Sequence, residues 1–115
     1  MLRASELAAQ RCAACEGGTE PLLAQDIAPL LNALAGWQVA DKRALVKVFA
    51  FKDYYQTIAF VNAVAWIAHR EDHHPDLVVT YNQCIIEYRT HSINGLSVND
   101  FICAAKIDQF LGAPA

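Results

Sequence analysis

Two short runs rich in β-branched and aromatic residues, Asp76 to Tyr81 and Cys84 to Thr90, flank Asn82-Gln83, and this arrangement constrains the fold more than any other part of the chain. If Asn82 and Gln83 form a two-residue loop, Tyr81 lies opposite Cys84 and every further cross-strand pair follows. One face then collects Leu77, Val79, Tyr81, Cys84, Ile86 and Tyr88, nearly all apolar. The other collects Val78, Thr80, Ile85, Glu87 and the oppositely charged pair Asp76 and Arg89. A slip of one residue would mix the two sets.

The remaining elements supply partners for that ribbon. Leu23, Ile27, Leu30, Leu31 and Leu34 recur at helical spacing, with Pro29 as a candidate break and Gly36 where a helix would stop. Trp37 to Val39 and Ala44 to Phe51 read as strands joined by Asp41-Lys42-Arg43. Asp53, with Gln56 three residues on, caps a long helix through Ile58, Val61, Ala65 and Ala68. Pro75 ends that helix, because the residue before a proline is pushed toward extended geometry. Gly95 leads to Ser97, the cap of a last helix holding Phe101, Ala104, Ala105 and Phe110, with Gly112 beyond its end. The order αββαββα predicts an α+β fold: a four-stranded antiparallel sheet with helices packed on one face. Residues 1–19 show no sustained period and read as a loosely ordered leader before a single domain over 20–115.

In the same register His74 lies opposite His91, at the open end of the ribbon and on its more polar face. His73 is adjacent in sequence but would point to the other face of a regular strand, and whether it joins them is left open by this geometry. Imidazole suits proton transfer because its ordinary pKa of about 6.5 keeps both forms accessible near neutrality. One ring can donate while its neighbour accepts, and elimination of water needs both acts. Three histidines are also a familiar zinc set, although an adjacent pair is an awkward chelating spacing. The chemistry of proton transfer requires no cofactor and no metal.

Composition narrows the partners. The chain has 115 residues, a formal net charge of −3, and nine Lys and Arg residues without clustering, so there is no electrostatic footprint for nucleic acid. No apolar stretch approaches signal-peptide or membrane-spanning length, and the expectation is a cytoplasmic protein with no membrane contact. Cys12 and Cys15 form a Cys-x2-Cys pair without the second pair that a closed zinc site wants. Cys84 and Cys103 fall at apolar positions and read as core.

The segment His73-His74-Pro75-Asp76, Tyr81 six positions after the proline, Thr90-His91, Gly95-Leu96-Ser97 and Asp100 resembles the signature of the pterin-4a-carbinolamine dehydratase family. Gly36-Trp37, Phe49-Ala50-Phe51-Lys52-Asp53 and the run from Phe60 to Ala65 extend the likeness over about Leu30 to Leu111. The resemblance implies a homodimer or homotetramer acting on a pterin substrate, 4a-hydroxytetrahydrobiopterin or a related compound, and coupled in function to an aromatic amino acid hydroxylase. It implies His73 and His91 as the acid/base pair, His74 as a substrate-binding residue, and Asp100 and Trp37 as shapers of the pocket. Asp100 has a second reading, since three residues after Ser97 it completes a helix-start box. Trp37 has one too, as core. Asp72 stands where it could orient an imidazole or simply be a solvated helix-end acid. The resemblance also covers proteins that act as dimerisation modules for a partner, and a dehydratase-like role in molybdopterin metabolism. One departure is His69, where many members carry a carboxylate four positions before the motif's first histidine.

Overall fold

The structure, a computed structural model, describes residues 2–14 and 20–111. Helices α1 (Ala4–Ala8) and α2 (Ala24–Asn32) precede strands β1 (Gln38–Ala40) and β2 (Ala44–Ala50); α3 (Tyr54–Glu71) leads to β3 (Asp76–Val79) and β4 (Gln83–Tyr88), and α4 (Val98–Phe110) closes the fold. The strands form one antiparallel sheet in the order β1-β2-β4-β3, with the two hairpins joined through β2 and β4. The fold class is therefore the α+β arrangement expected.

Alternation along the strands decides which face is covered. Leu45, Phe49, Cys84, Ile86 and Tyr88 are buried, while their neighbours Val48 and Val78 are exposed on the other side. Phe49 on β2 meets Phe60 on α3 at 4.8 Å between ring centroids, and Trp37 packs edge-on against Phe49 at 5.8 Å. Helix α4 is buried almost all round, from Asn99 through Ala105 and again at Ile107. It has little amphipathic character because helices and sheet enclose it on several sides.

Three expectations change. The hairpin loop is Tyr81-Asn82, not Asn82-Gln83, so Asp76 pairs with Glu87 rather than Arg89. Thr80 closes the turn: its N–H donates to the Gln83 carbonyl at 2.9 Å, and its hydroxyl accepts from the Gln83 N–H at 3.1 Å. The shift is two residues, which preserves side-chain parity and leaves the two faces as read. Second, Pro29 lies inside α2 without dividing it. The helix gives up one bond there, while Ile27 stays anchored in the core.

Third, part of the stretch expected to be loosely attached is packed. Leu7 is fully buried, and Lys106 on α4 donates to the Ala8 carbonyl at 2.7 Å. A five-residue helix is too short to persist alone, so α1 owes its existence to this docking. Cys15, Gly17, Gly18 and Gly112 lie outside the described residues.

Candidate active site

Two irregular junctions bring the histidines together. Helix α3 ends where Asp72 enters the left-handed region at φ 52°, and the N–H groups of Asp72 and His73 return to the His69 and Ala68 carbonyls at 3.3 and 3.1 Å. Pro75 then holds the chain extended into β3. On the facing side, Thr90 bridges to Gly95 across a loop containing a single 3₁₀ turn, His91–Ile93. A Cβ at Gly95 would stand 2.7 Å from Pro21 Cβ, and the Leu22 N–H donates to the Leu96 carbonyl at 2.8 Å. Only glycine allows the segment before α2 to press this loop into place.

His73 and Asp100 form the buried half of the site. His73 Nε2 is 2.6 Å from Asp100 Oδ1, with the carboxylate fully buried. The other oxygen, Oδ2, accepts from the Thr90 hydroxyl at 2.9 Å and the Ser97 N–H at 3.0 Å. Thr90 and Ser97 hydroxyls share a further bond at 2.7 Å. The helix-start reading of Asp100 holds, since Oδ2 caps α4, while Oδ1 grips the imidazole. Burial works against charging His73, but the bonded Asp100 carboxylate outweighs it and raises the imidazole above its ordinary value. The ring lies flat against Tyr88, 6° from parallel at 5.6 Å. With Nε2 committed to Asp100, Nδ1 is the nitrogen left to serve a ligand.

His74 and His91 form the exposed half. Their rings stack at 5.6 Å and 21°. The expected juxtaposition is present, although the strand register that predicted it is not; stacking between the two junctions replaces ladder pairing. His74 Nδ1 lies 3.3 Å from the Pro75 carbonyl, which places the proton there and leaves Nε2 as acceptor in the neutral ring. Asp76 stands near both Arg89 and His91, at 3.9 and 4.0 Å.

All three histidines, with Asp72 and Thr90, line one cavity of about 550 Å³, a size that admits a bicyclic heterocycle. Trp37 does not line it. It is buried beside Phe49, and its Nε1–H donates to Asp108 at 2.9 Å, toward the far end of α4. Eight residues separate Asp108 from Asp100, about 12 Å along a helix. The core reading of Trp37 is the one its surroundings support. His69 precedes His73 by four residues, a spacing that would align both rings on a continuous helix, but Asp72 breaks the helix between them and His69 is exposed. Among the described residues, no three His, Cys, Asp or Glu side chains converge as a metal site.

Sequence reasoning missed one wall of this cavity. Arg11, Cys12, Ala13 and Ala14 line it together with Glu71 and Asn99. Glu71, buried at the end of α3, accepts from the Cys12 N–H at 2.9 Å and pairs with Arg11 at 3.1 Å. Burial raises its pKa, but the Cys12 N–H and the cations Lys106 and Arg11 bring it below the usual value. Asn99 clamps Ala13 through both backbone groups, at 3.1 and 2.6 Å. Contacts between residues so far apart in the chain leave no local signal.

The α+β fold thus holds three imidazoles around one cavity, two at the junction of α3 with β3 and one in the loop between β4 and α4. The chain belongs to the pterin 4 alpha carbinolamine dehydratase family, whose model matches residues 20–110. A protein of Nitrosomonas eutropha named "Putative pterin-4-alpha-carbinolamine dehydratase" is 57% identical over 112 residues, covering 96% of this chain and 98% of that one. A protein of the same name from Nitrosospira multiformis is 59% identical over 103 residues, 90% of each chain. Among solved structures, a transcriptional coactivator/pterin dehydratase from Brucella melitensis superposes with a TM-score of 0.76 at 34% identity, covering 81% of this chain and all of that one. A pterin dehydratase-like protein described as a RuBisCO assembly factor in the alpha-carboxysome gives 0.59 at 25% identity, covering 69% and 93%.

Proposed function

We propose that this protein dehydrates a 4a-hydroxytetrahydropterin, such as 4a-hydroxytetrahydrobiopterin, to the quinonoid dihydropterin. The observation that carries the reading is the union, around one cavity, of an imidazole bonded to a buried carboxylate and two imidazoles open to solvent. The 4a-hydroxyl must be protonated to leave as water, and the adjacent nitrogen must lose a proton as the C=N bond forms. Asp100 raises the pKa of His73 and so favours its protonated form, which makes His73 the donor to the departing oxygen. His91 accepts the second proton, and His74, with Asp72 nearby, orients the ring system. Both acts are proton transfers, so the step calls on no redox cofactor.

In the cell this reaction would serve recycling of tetrahydrobiopterin beside an aromatic amino acid hydroxylase, in the cytoplasm, by a homodimer or homotetramer. No helix among the described residues is long and apolar enough to cross a membrane. A second reading, as an assembly module for another protein, draws support from the structural neighbour described as a RuBisCO assembly factor. A pure adaptor has no use for three imidazoles and the carboxylate beneath one of them, which favours catalysis.

The test follows decay of enzymatically generated 4a-hydroxytetrahydropterin. Wild type should accelerate it, and His73→Ala and His91→Ala should lose most of the acceleration. Equal rates for all three would put the assembly reading ahead.

A further inference from the structure

Cys12 and Cys103 come together from positions 91 residues apart, with their sulfurs 3.5 Å from one another. Cys12 is half-buried and lines the histidine cavity, whereas Cys103 is fully buried on α4, one turn beyond Asp100. We propose that Cys12 and Cys103 are a dithiol that a hydroperoxide converts to a disulfide, fastening the N-terminal segment to α4 beside the cavity.

The geometry sets the order of events. Cys12 is the sulfur an oxidant in the cavity can reach, and Cys103 can be reached only through Cys12. As a thiol, Cys12 donates to the Asn99 carbonyl at 3.7 Å; as a thiolate it accepts from Cys103. That bond from Cys103, opposed by burial and assisted by nearby His73, holds the Cys12 thiol below its ordinary value, while Cys103 is pushed far above it. Cys12 thiolate attacks one peroxide oxygen, the O–O bond breaks, and the leaving oxygen takes a proton and departs as an alcohol or water. Cys12 is then a sulfenic acid. The Cys103 sulfur attacks Cys12, the S–S bond forms, and the hydroxyl leaves as water with the proton from Cys103. Two thiols lose two electrons, and one peroxide gains them. The sulfurs need only close from 3.5 Å to the roughly 2.05 Å of a bond. The Cys12 and Ala13 backbone is held beside α4 by Glu71 and Asn99.

The proposal is independent of the substrate, and its test reads mass rather than activity. Full-length protein is treated with a small excess of hydrogen peroxide, digested without reductant and mapped. Wild type and Cys15→Ser should each lose about 2 Da and yield a linked peptide pair containing Cys12 and Cys103, reversed by dithiothreitol. Cys103→Ala should stop at a sulfenic acid on Cys12, about 16 Da heavier and trapped by dimedone. Should that core variant fail to fold, the wild-type and Cys15→Ser maps decide alone. A Cys12–Cys15 link, or a wild-type protein that keeps both thiols while its methionine oxidises, would overturn the proposal.

Discussion

The two halves of the cavity are built on opposite principles. His73 rests on a carboxylate shut away from water, and that carboxylate accepts from Thr90, from the Ser97 backbone and from the imidazole itself. His74 and His91 lean on one another at the surface, with a single weak backbone bond and a distant Asp76 beside them. One half seats its ring on a buried carboxylate that favours the charged imidazole; the other holds its two rings against each other in the open. An elimination that gives one proton and takes another benefits from both kinds.

The sharpest way to break the contrast is His73→Gln, which keeps a donor for Asp100 but removes the titrating ring. The rate should fall by about 10²- to 10⁴-fold, measured as carbinolamine decay. Asp100→Ala attacks the same half through its foundation. Leaving Thr90, Ser97 and His73 without their shared acceptor should cost about 3–5 kcal/mol in urea denaturation, whereas His91→Asn should remain within about 0.5 kcal/mol of wild type. Equal losses would erase the distinction between the halves.

A subtler probe is pH. The folded-state pKa of His73 lies above its unfolded value, so its contribution to stability is complete below about 6.5 and is lost as pH rises through the raised folded pKa. Activity that needs the protonated ring should decline over the same upper window. Asp100→Asn removes the charge that opposes burial, so that limb should move to lower pH. A milder loss than that of Asp100→Ala is expected of Thr90→Val, about 2 kcal/mol for the two hydrogen bonds its hydroxyl makes with Asp100 and Ser97, with the pH limb displaced less than in Asp100→Asn. An unmoved limb in Asp100→Asn would separate the carboxylate from proton control altogether.

Much of the fold was legible because its signals are local. The Asp53 cap, the three-residue turn at Asp41-Lys42-Arg43 and the Ser97 to Asp100 box each act within a few residues. The His74–His91 juxtaposition was legible for a less secure reason. The Thr80 turn shifts the register by two, yet the rings meet because both chains leave the sheet at the same end. What escaped was carried by distant contacts. Trp37 is drawn to Asp108 and Phe49, away from the cavity, and Glu71 seizes an N-terminal segment whose sequence shows no period. Periodicity reports which face is apolar, and it says nothing about which remote backbone a buried carboxylate will bind.

The enclosure of α4 gives the site a particular kind of permanence. Its amide hydrogens, sheltered from Asn99 to Ala105, should exchange with deuterium only when the whole molecule opens, while those of the His91 loop exchange through small local excursions. The deepest member of the histidine network therefore survives as long as the domain does, and loss of its position would be the signature of global collapse rather than of breathing at the mouth.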